Sequence, residues 1–197
     1  MLFRSGSSPE VPDNKDYTKM RKSVYFKLLQ VNKKLKPLGY EICLYECWRS
    51  ISLQKMLFDN IYNRFKKDNP NWTHEEIFKK STEGVSPVIN LDGTANVPAH
   101  STGGAIDVYL VDIKTKEFID MGPHPKEPYD DKLSPTNSNE ISEEAKKNRK
   151  LMADVLSEVG FVNYPTEYWH WSYGDRYWAY ISGKEKAIYG SIFEYKK

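Results

Sequence analysis

Apolar residues recur at steps of three and four through Met20, Val24, Leu28, Val31, Leu35 and Leu38. That spacing predicts one buried face of an amphipathic helix, with Gly39 as its stop. Tyr40 to Trp48 reads as a strand. Helical spacing returns through Leu53, Met56, Leu57, Ile61 and Phe65, and Thr73 followed by Glu76 marks the capping box of a further short helix. Residues 81–98 are rich in turn formers and read as loop. Ala105 to Val111 predicts a second strand, with "VDIKTKEFIDMG" returning on it as a hairpin. A long polar loop follows, "PHPKEPYDDKLSPTNSNE". Ser142 to Val159 is helical, with Leu151, Met152, Val155, Leu156 and Val159 inward and Gly160 as the stop. Phe161 to Ile181 reads as two strands around a turn at Gly174 and Asp175. Helices and strands in mixed order, with hairpin signals, predict an α+β fold with a central antiparallel sheet flanked by helices. Residues 1–15 are polar and predict a flexible arm, leaving 16–197 as a single domain.

Composition narrows the function classes. The 197 residues suffice for one sizeable core. Basic residues number 29 against 27 acidic, for a net charge of +2, and form no basic stripe, so no nucleic-acid partner is expected. No apolar run is long enough to span a bilayer, so no membrane partner is expected. The start of the chain has no signal-peptide pattern, which points to the cytoplasm; a chain trimmed of a periplasmic or secretory leader would read the same. Cys43 and Cys47, four apart on a predicted strand, stand about 13 Å from each other. That is too far for a disulfide, and they read as buried free thiols. Aromatic residues make up 14% of the chain and gather late, in "YWHWSYGDRYWAY".

The chemistry gathers at "PAHSTGGAIDVYLVD". His100 and Asp107 lie an odd number of residues apart, which on one regular strand would turn them to opposite faces. Gly103 and Gly104 permit a tight turn between them, so both side chains can face one point. A catalytic zinc site needs three such ligands and an open position for water; "EYWHW" offers His170 as the third. Glu167, three residues earlier, would stand beside the water, as a base for its proton and then an acid for a leaving amine. Arg49, at a predicted strand–helix junction in "ECWRS", could oppose a developing negative oxygen. Taken singly, each residue has an ordinary reading: a loop histidine, a strand aspartate, a solvated glutamate, a histidine packed among aromatics, half of a salt bridge. From spacing alone those readings stay open beside the zinc site.

"HSTGGAID" and "EYWH" together resemble the D-alanyl-D-alanine dipeptidases, the VanX-like branch of the zinc peptidases related to bacterial DD-carboxypeptidases. The resemblance extends to "WRS" with Gln54 after it, to "IDMG", to "NRKLM" and to "GFVNYPTEYWHWSYGDRYWAY", from about Asp16 to about Ile192. It implies a hedgehog/DD-peptidase-like fold and Zn2+ held by His100, Asp107 and His170. It also implies Glu167 as general base and acid, Arg49 as the group that stabilises the tetrahedral intermediate, and a closed pocket for a small dipeptide. Ser101, Trp169 and Glu127 are the expected substrate contacts. The implied reaction is attack of a zinc-bound water on D-alanyl-D-alanine to release free D-alanine, in vancomycin resistance or in wall recycling.

One departure bears on the substrate. After "MG", relatives carry a Phe-Asp pair whose Asp holds the dipeptide's ammonium group. Here the text is "MGPHPKEPYDD", with Lys126 or Glu127 near that place and Asp130 and Asp131 as further candidates. Two alternatives accordingly stand beside the dipeptidase: a carboxypeptidase or endopeptidase acting on peptidoglycan stem peptides, and a zinc-containing module that binds wall peptides without cutting them. A pure binder has no need of Glu167 and Arg49.

Overall fold

Helix α1 spans Lys22–Leu35 and buries Val24, Leu28, Val31 and Leu35, the predicted stripe. It stops short of Leu38, which is exposed on a 3-10 turn over Lys36–Leu38. Pro37 has no N–H to continue the helical ladder, and Gly39 closes the turn at φ 87°. The computed structural model describes residues 4–5, 16–125, 127 and 129–192. The arm expected over residues 1–15 lies outside these except for strand β1, Arg4–Ser5, which pairs parallel with Cys43 and Leu44.

Strand β2 spans Tyr40–Glu46 and β3 spans Ala105–Asp112. They pair antiparallel, Ile42 opposite Leu110 and Leu44 opposite Val108. Strand β4, Val162–Tyr164, and β5, Glu167–Ser172, complete a sheet of order β1-β2-β3-β5-β4, antiparallel apart from β1. Strand alternation gives Ile42, Leu44, Ile106, Val108 and Leu110 one face, apolar up to the strand ends at Tyr40 and Asp112, and Cys43, Asp107 and Tyr109 the other. Helix α4, Glu143–Glu158, carries Met152, Val155 and Leu156 into the same core as α1. Asn32 of α1 is buried and accepts a hydrogen bond from the Ile42 amide at 2.8 Å, which pins helix to sheet. The result is the α+β domain with a central antiparallel sheet that the patterning predicts. Cys43 and Cys47 are buried free thiols, as expected.

Helix α2, Ile51–Asp68, and α3, His74–Thr82, pack on each other through Phe58 and Phe78. The predicted capping box of Thr73 and Glu76 is present. The buried face of α2 follows the predicted stripe except at Met56: Leu57 is buried, and Leu53, Ile61 and Phe65 are half-buried. Gln54, Leu57 and Phe58 are inside, whereas Met56 is 43% exposed. The helix is held by a polar anchor: the Gln54 amide donates to the Ser86 carbonyl at 2.6 Å and its oxygen accepts from Arg49 at 3.0 Å.

The return from β3 is less than a hairpin strand. Phe118 bridges Val111, and the Ile119 amide reaches the Leu110 carbonyl, but no strand forms. The long loop that follows is tied down by α4. Arg149 donates to the carbonyls of Met121, Leu133 and Pro135, with its guanidinium 4.0 Å from the centre of the Tyr168 ring. The end of the chain departs further from expectation. The turn between β4 and β5 falls at Pro165 and Thr166, not at Gly174 and Asp175, and Arg176–Ile181 is helix α5 rather than a strand. Asp175 is its N-cap, accepting from the Trp178 amide at 2.9 Å, the local bond that starts a helix. Among the described residues no helix is long and apolar enough to cross a membrane.

Candidate active site

Three strands place one polar row across the sheet. Asp107 of β3 lies directly opposite His170 of β5 and opposite Glu46 of β2. The Glu46 pairing depends on a bulge: the register shifts between Leu44 and Glu46, inserting Tyr45. In unbroken alternation Glu46 would share the face of Leu44, among the apolar side chains; the extra residue turns it to the face of Asp107.

His100 arrives from a 3-10 turn, His100–Thr102, ended by Gly103 at φ 68°. A Cβ on Gly104 would stand 2.5 Å from the Tyr173 carbonyl oxygen, so the chain can pass here only as glycine. The predicted glycine turn is therefore real, and it carries His100 back over β3. The imidazole Nδ1 sits 2.7 Å from the Cys47 carbonyl oxygen, which can only accept. Nδ1 carries the proton, and Nε2 presents its lone pair to the site.

His100 Nε2 is 3.3 Å from Asp107 Oδ2, His170 Nδ1 is 3.1 Å from Asp107 Oδ1, and the two nitrogens are 3.1 Å apart. All three residues are buried. Lone pairs and a carboxylate converging this closely call for a positive centre between them. Bonds of about 2.0–2.1 Å to a tetrahedral zinc ion would separate ligand atoms by about 3.3 Å, so the donor set fits that ion in kind and in spacing. Without it, the carboxyl of Asp107, which burial pushes up, is held far below the usual range by His100 and His170. Burial lowers the His100 imidazolium pKa, and Asp107 more than offsets this, raising it overall.

Glu167 stands at the edge of the trio, one carboxylate oxygen 4.0 Å from His170 Nδ1. Burial raises its pKa to about 7; His170, Arg49 and the Trp169 indole oppose the rise, and Asp107 adds to it. Arg49 lies in the junction between β2 and α2, 9% exposed. Its guanidinium grips Glu46 through Nε and Nη2 and reaches Gln54 through Nη1, while its amide meets the His100 carbonyl at 3.4 Å.

The structure thus brings His100, Asp107, His170, Glu167 and Arg49 together. The expected substrate contacts are placed differently. Ser101 is fully buried. Trp169 is buried against Tyr168 and engaged with Glu167. Glu127 is exposed and turns back to accept from the His124 amide at 3.3 Å, beside a cavity of about 300 Å³ lined by Tyr109, Phe118, Met121 and Tyr168. Lys126 lies outside the described residues. Asp130 caps its own turn at Lys132 and Leu133, and Asp131 pairs with Lys80 at 3.1 Å. Sequence reasoning missed Glu46. Its signal was a carboxylate inside the otherwise apolar "ICLYECW", which must find a buried partner.

The sequence pattern of the peptidase family described as D-ala-D-ala dipeptidase matches residues 12–185. The chain belongs to that peptidase family, M15. Among curated relatives it is 24% identical to a D-alanyl-D-alanine dipeptidase of Synechocystis sp. over 157 residues, covering 72% of this chain and 63% of the relative. It is 32% identical to a D-alanyl-D-alanine dipeptidase of Enterococcus faecium over 84 residues, 43% of this chain and 41% of the relative. The chain therefore spans less than two thirds of the length of these relatives. Solved structures resemble it more loosely. A mutant of the vancomycin resistance D,D-pentapeptidase VanY in complex with Zn(II) aligns at a TM-score of 0.48 and 13% identity, over 86% of this chain and 81% of that one. The LdcB LD-carboxypeptidase aligns at 0.49 and 18%, over 95% and 74%.

Proposed function

We propose that this M15 peptidase is a zinc-dependent dipeptidase that hydrolyses D-alanyl-D-alanine to two molecules of D-alanine. The observation that carries the reading is the position of Glu167, 4.0 Å from His170 Nδ1 beside a trio of ligand atoms spaced for a tetrahedral ion. His100 Nε2, His170 Nδ1 and Asp107 would hold the ion. Zinc, when bound, lowers the pKa of water and polarises a carbonyl.

The residues of this chain supply the rest. Glu167, held near neutrality by burial, takes a proton from the attacking water and returns it to the departing amine, the double use that a pKa close to the working pH allows. Arg49 opposes the negative oxygen that develops on the scissile carbonyl. Glu46 and Gln54 hold its guanidinium in one orientation, so little reorganisation is needed as charge develops.

The assay is release of free D-alanine from D-alanyl-D-alanine by the zinc-loaded protein, with L-alanyl-L-alanine and a chelator as controls. Chelator-sensitive cleavage of the D,D form is expected. A zinc-loaded protein that leaves this dipeptide intact would overturn the reading. One observation favours a second substrate class, the stem peptides of peptidoglycan: Glu127 and Asp130 are engaged within their own loop and Asp131 by Lys80, with the ammonium-holding Asp of relatives missing. Cleavage of longer D,D-terminated peptides in preference to the free dipeptide would select it.

A further inference from the structure

Glu167 and His170 lie three residues apart on one strand, yet both reach the same point. Regular alternation would send them to opposite faces. β5 escapes alternation through a wide break in its pairing with β4. Asn163 is opposite Trp171, but the next residue, Tyr164, is opposite Glu167, so Tyr168, Trp169 and His170 have no opposing residue on β4. Such an excursion leaves backbone groups to be satisfied elsewhere. The Tyr168 amide goes to the Ser134 carbonyl of the long loop at 3.1 Å. The carbonyls of Glu167 and His170 go to a single group, the side-chain amide of Asn163, at 3.2 and 3.0 Å.

We propose that Asn163 is a positioning residue, whose amide nitrogen clamps the Glu167 and His170 carbonyls and so sets the reach between general base and metal ligand. An amide NH2 has two hydrogens, one for each carbonyl. Its orientation is not free, because Asn163 Oδ1 accepts the Thr136 hydroxyl, which turns the nitrogen toward β5. The Asn163 backbone is held in turn by the Tyr177 hydroxyl at 3.0 Å. Asn163 touches neither the metal ligands' donor atoms nor the Glu167 carboxylate; it acts through the backbone beneath them. The long loop thereby supports the site from behind, through Thr136 and Ser134.

This inference rests on the zinc-peptidase reading. Asn163→Asp keeps the shape and the bond accepted from Thr136 but has no hydrogens to donate. It is expected to lower kcat on D-alanyl-D-alanine about 10–100-fold, with KM within about twofold, and to weaken zinc binding about tenfold, measured by competition with a chromophoric chelator. Thr136→Val should reproduce part of both losses, whereas Thr136→Ser, which keeps the hydroxyl, should restore wild-type values. Circular dichroism and thermal melting on every variant establish that each is folded. A folded Asn163→Asp protein with wild-type zinc affinity and kcat would overturn the role of Asn163. A wild-type protein that binds no zinc would instead overturn the peptidase reading, so the two failures are separable. The chelator competition stands even if the true substrate is a longer peptide.

Discussion

Glu46 holds Arg49 by two bonds of one carboxylate, three residues apart across the end of β2, with the Glu46 side chain 2% exposed and that of Arg49 11%. The proposed oxyanion-stabilising group is thus itself half of a buried ion pair. Removing one partner of such a pair leaves the other charge uncompensated, at a cost of about 3 kcal/mol. Glu46→Gln is expected to lower stability by about that much in urea unfolding. It should also lower kcat at least about tenfold, because Arg49 loses its fixed direction. Unchanged kcat in a folded Glu46→Gln protein would sever Arg49's orientation from catalysis.

Glu167→Ala should lose about 10²–10⁴-fold in kcat while keeping zinc, since Glu167 is outside the trio of ligand atoms. Metal analysis beside steady-state kinetics checks this. Turnover near that of wild type would remove Glu167 from the mechanism.

His100→Ala and His170→Ala should lose metal and activity together. Two donors cannot complete the site, and the vacated volume sits against Asp107, whose carboxylate depends on both imidazoles. Full zinc occupancy in either protein, by atomic absorption after dialysis, would refute the ligand assignment.

Asp120 offers a pH-dependent test away from the metal. Its carboxylate accepts from the Gly122 amide at 3.0 Å and the Ser142 hydroxyl at 2.7 Å, and these bonds hold its pKa below the ordinary value. A depressed folded-state pKa stabilises the fold above the unfolded value of about 3.9, and the contribution disappears as pH falls through the folded value. Asp120→Asn should therefore be less stable than wild type at pH 7, by about 0.5–1 kcal/mol after allowance for solvent screening. The gap should narrow towards pH 3. A gap that is constant with pH, measured by urea melts, would assign the loss to shape rather than charge.

Much of the site was legible because its residues stand beside strong local signals. Gly103 and Gly104 announce the turn that returns His100 over Asp107, and the Glu167–His170 interval marks the other half. Glu46 and Asn163 were not legible as partners, because both depend on breaks in strand pairing, at Tyr45 and after Asn163. A break shifts which residues share a face without leaving a mark in the hydrophobic pattern. The α2 stripe departs from expectation at Met56 alone, where a buried amide, Gln54, takes the place inside. Gly174 and Asp175 resemble a hairpin turn in composition. The side chain of Asp175 capping Trp178 makes them the start of a helix instead.

The polar row of Glu46, Asp107 and His170 runs across β2, β3 and β5 rather than along any one segment. Its geometry is then a property of the sheet's central hydrogen-bond ladder, the part of a domain that opens last. The amides around Asp107 should therefore exchange only on global unfolding, while the turn that carries His100 opens on its own and gives a chelator access to the ion. A chelated protein of this kind would keep Asp107 and His170 in register on the sheet and take zinc back without refolding.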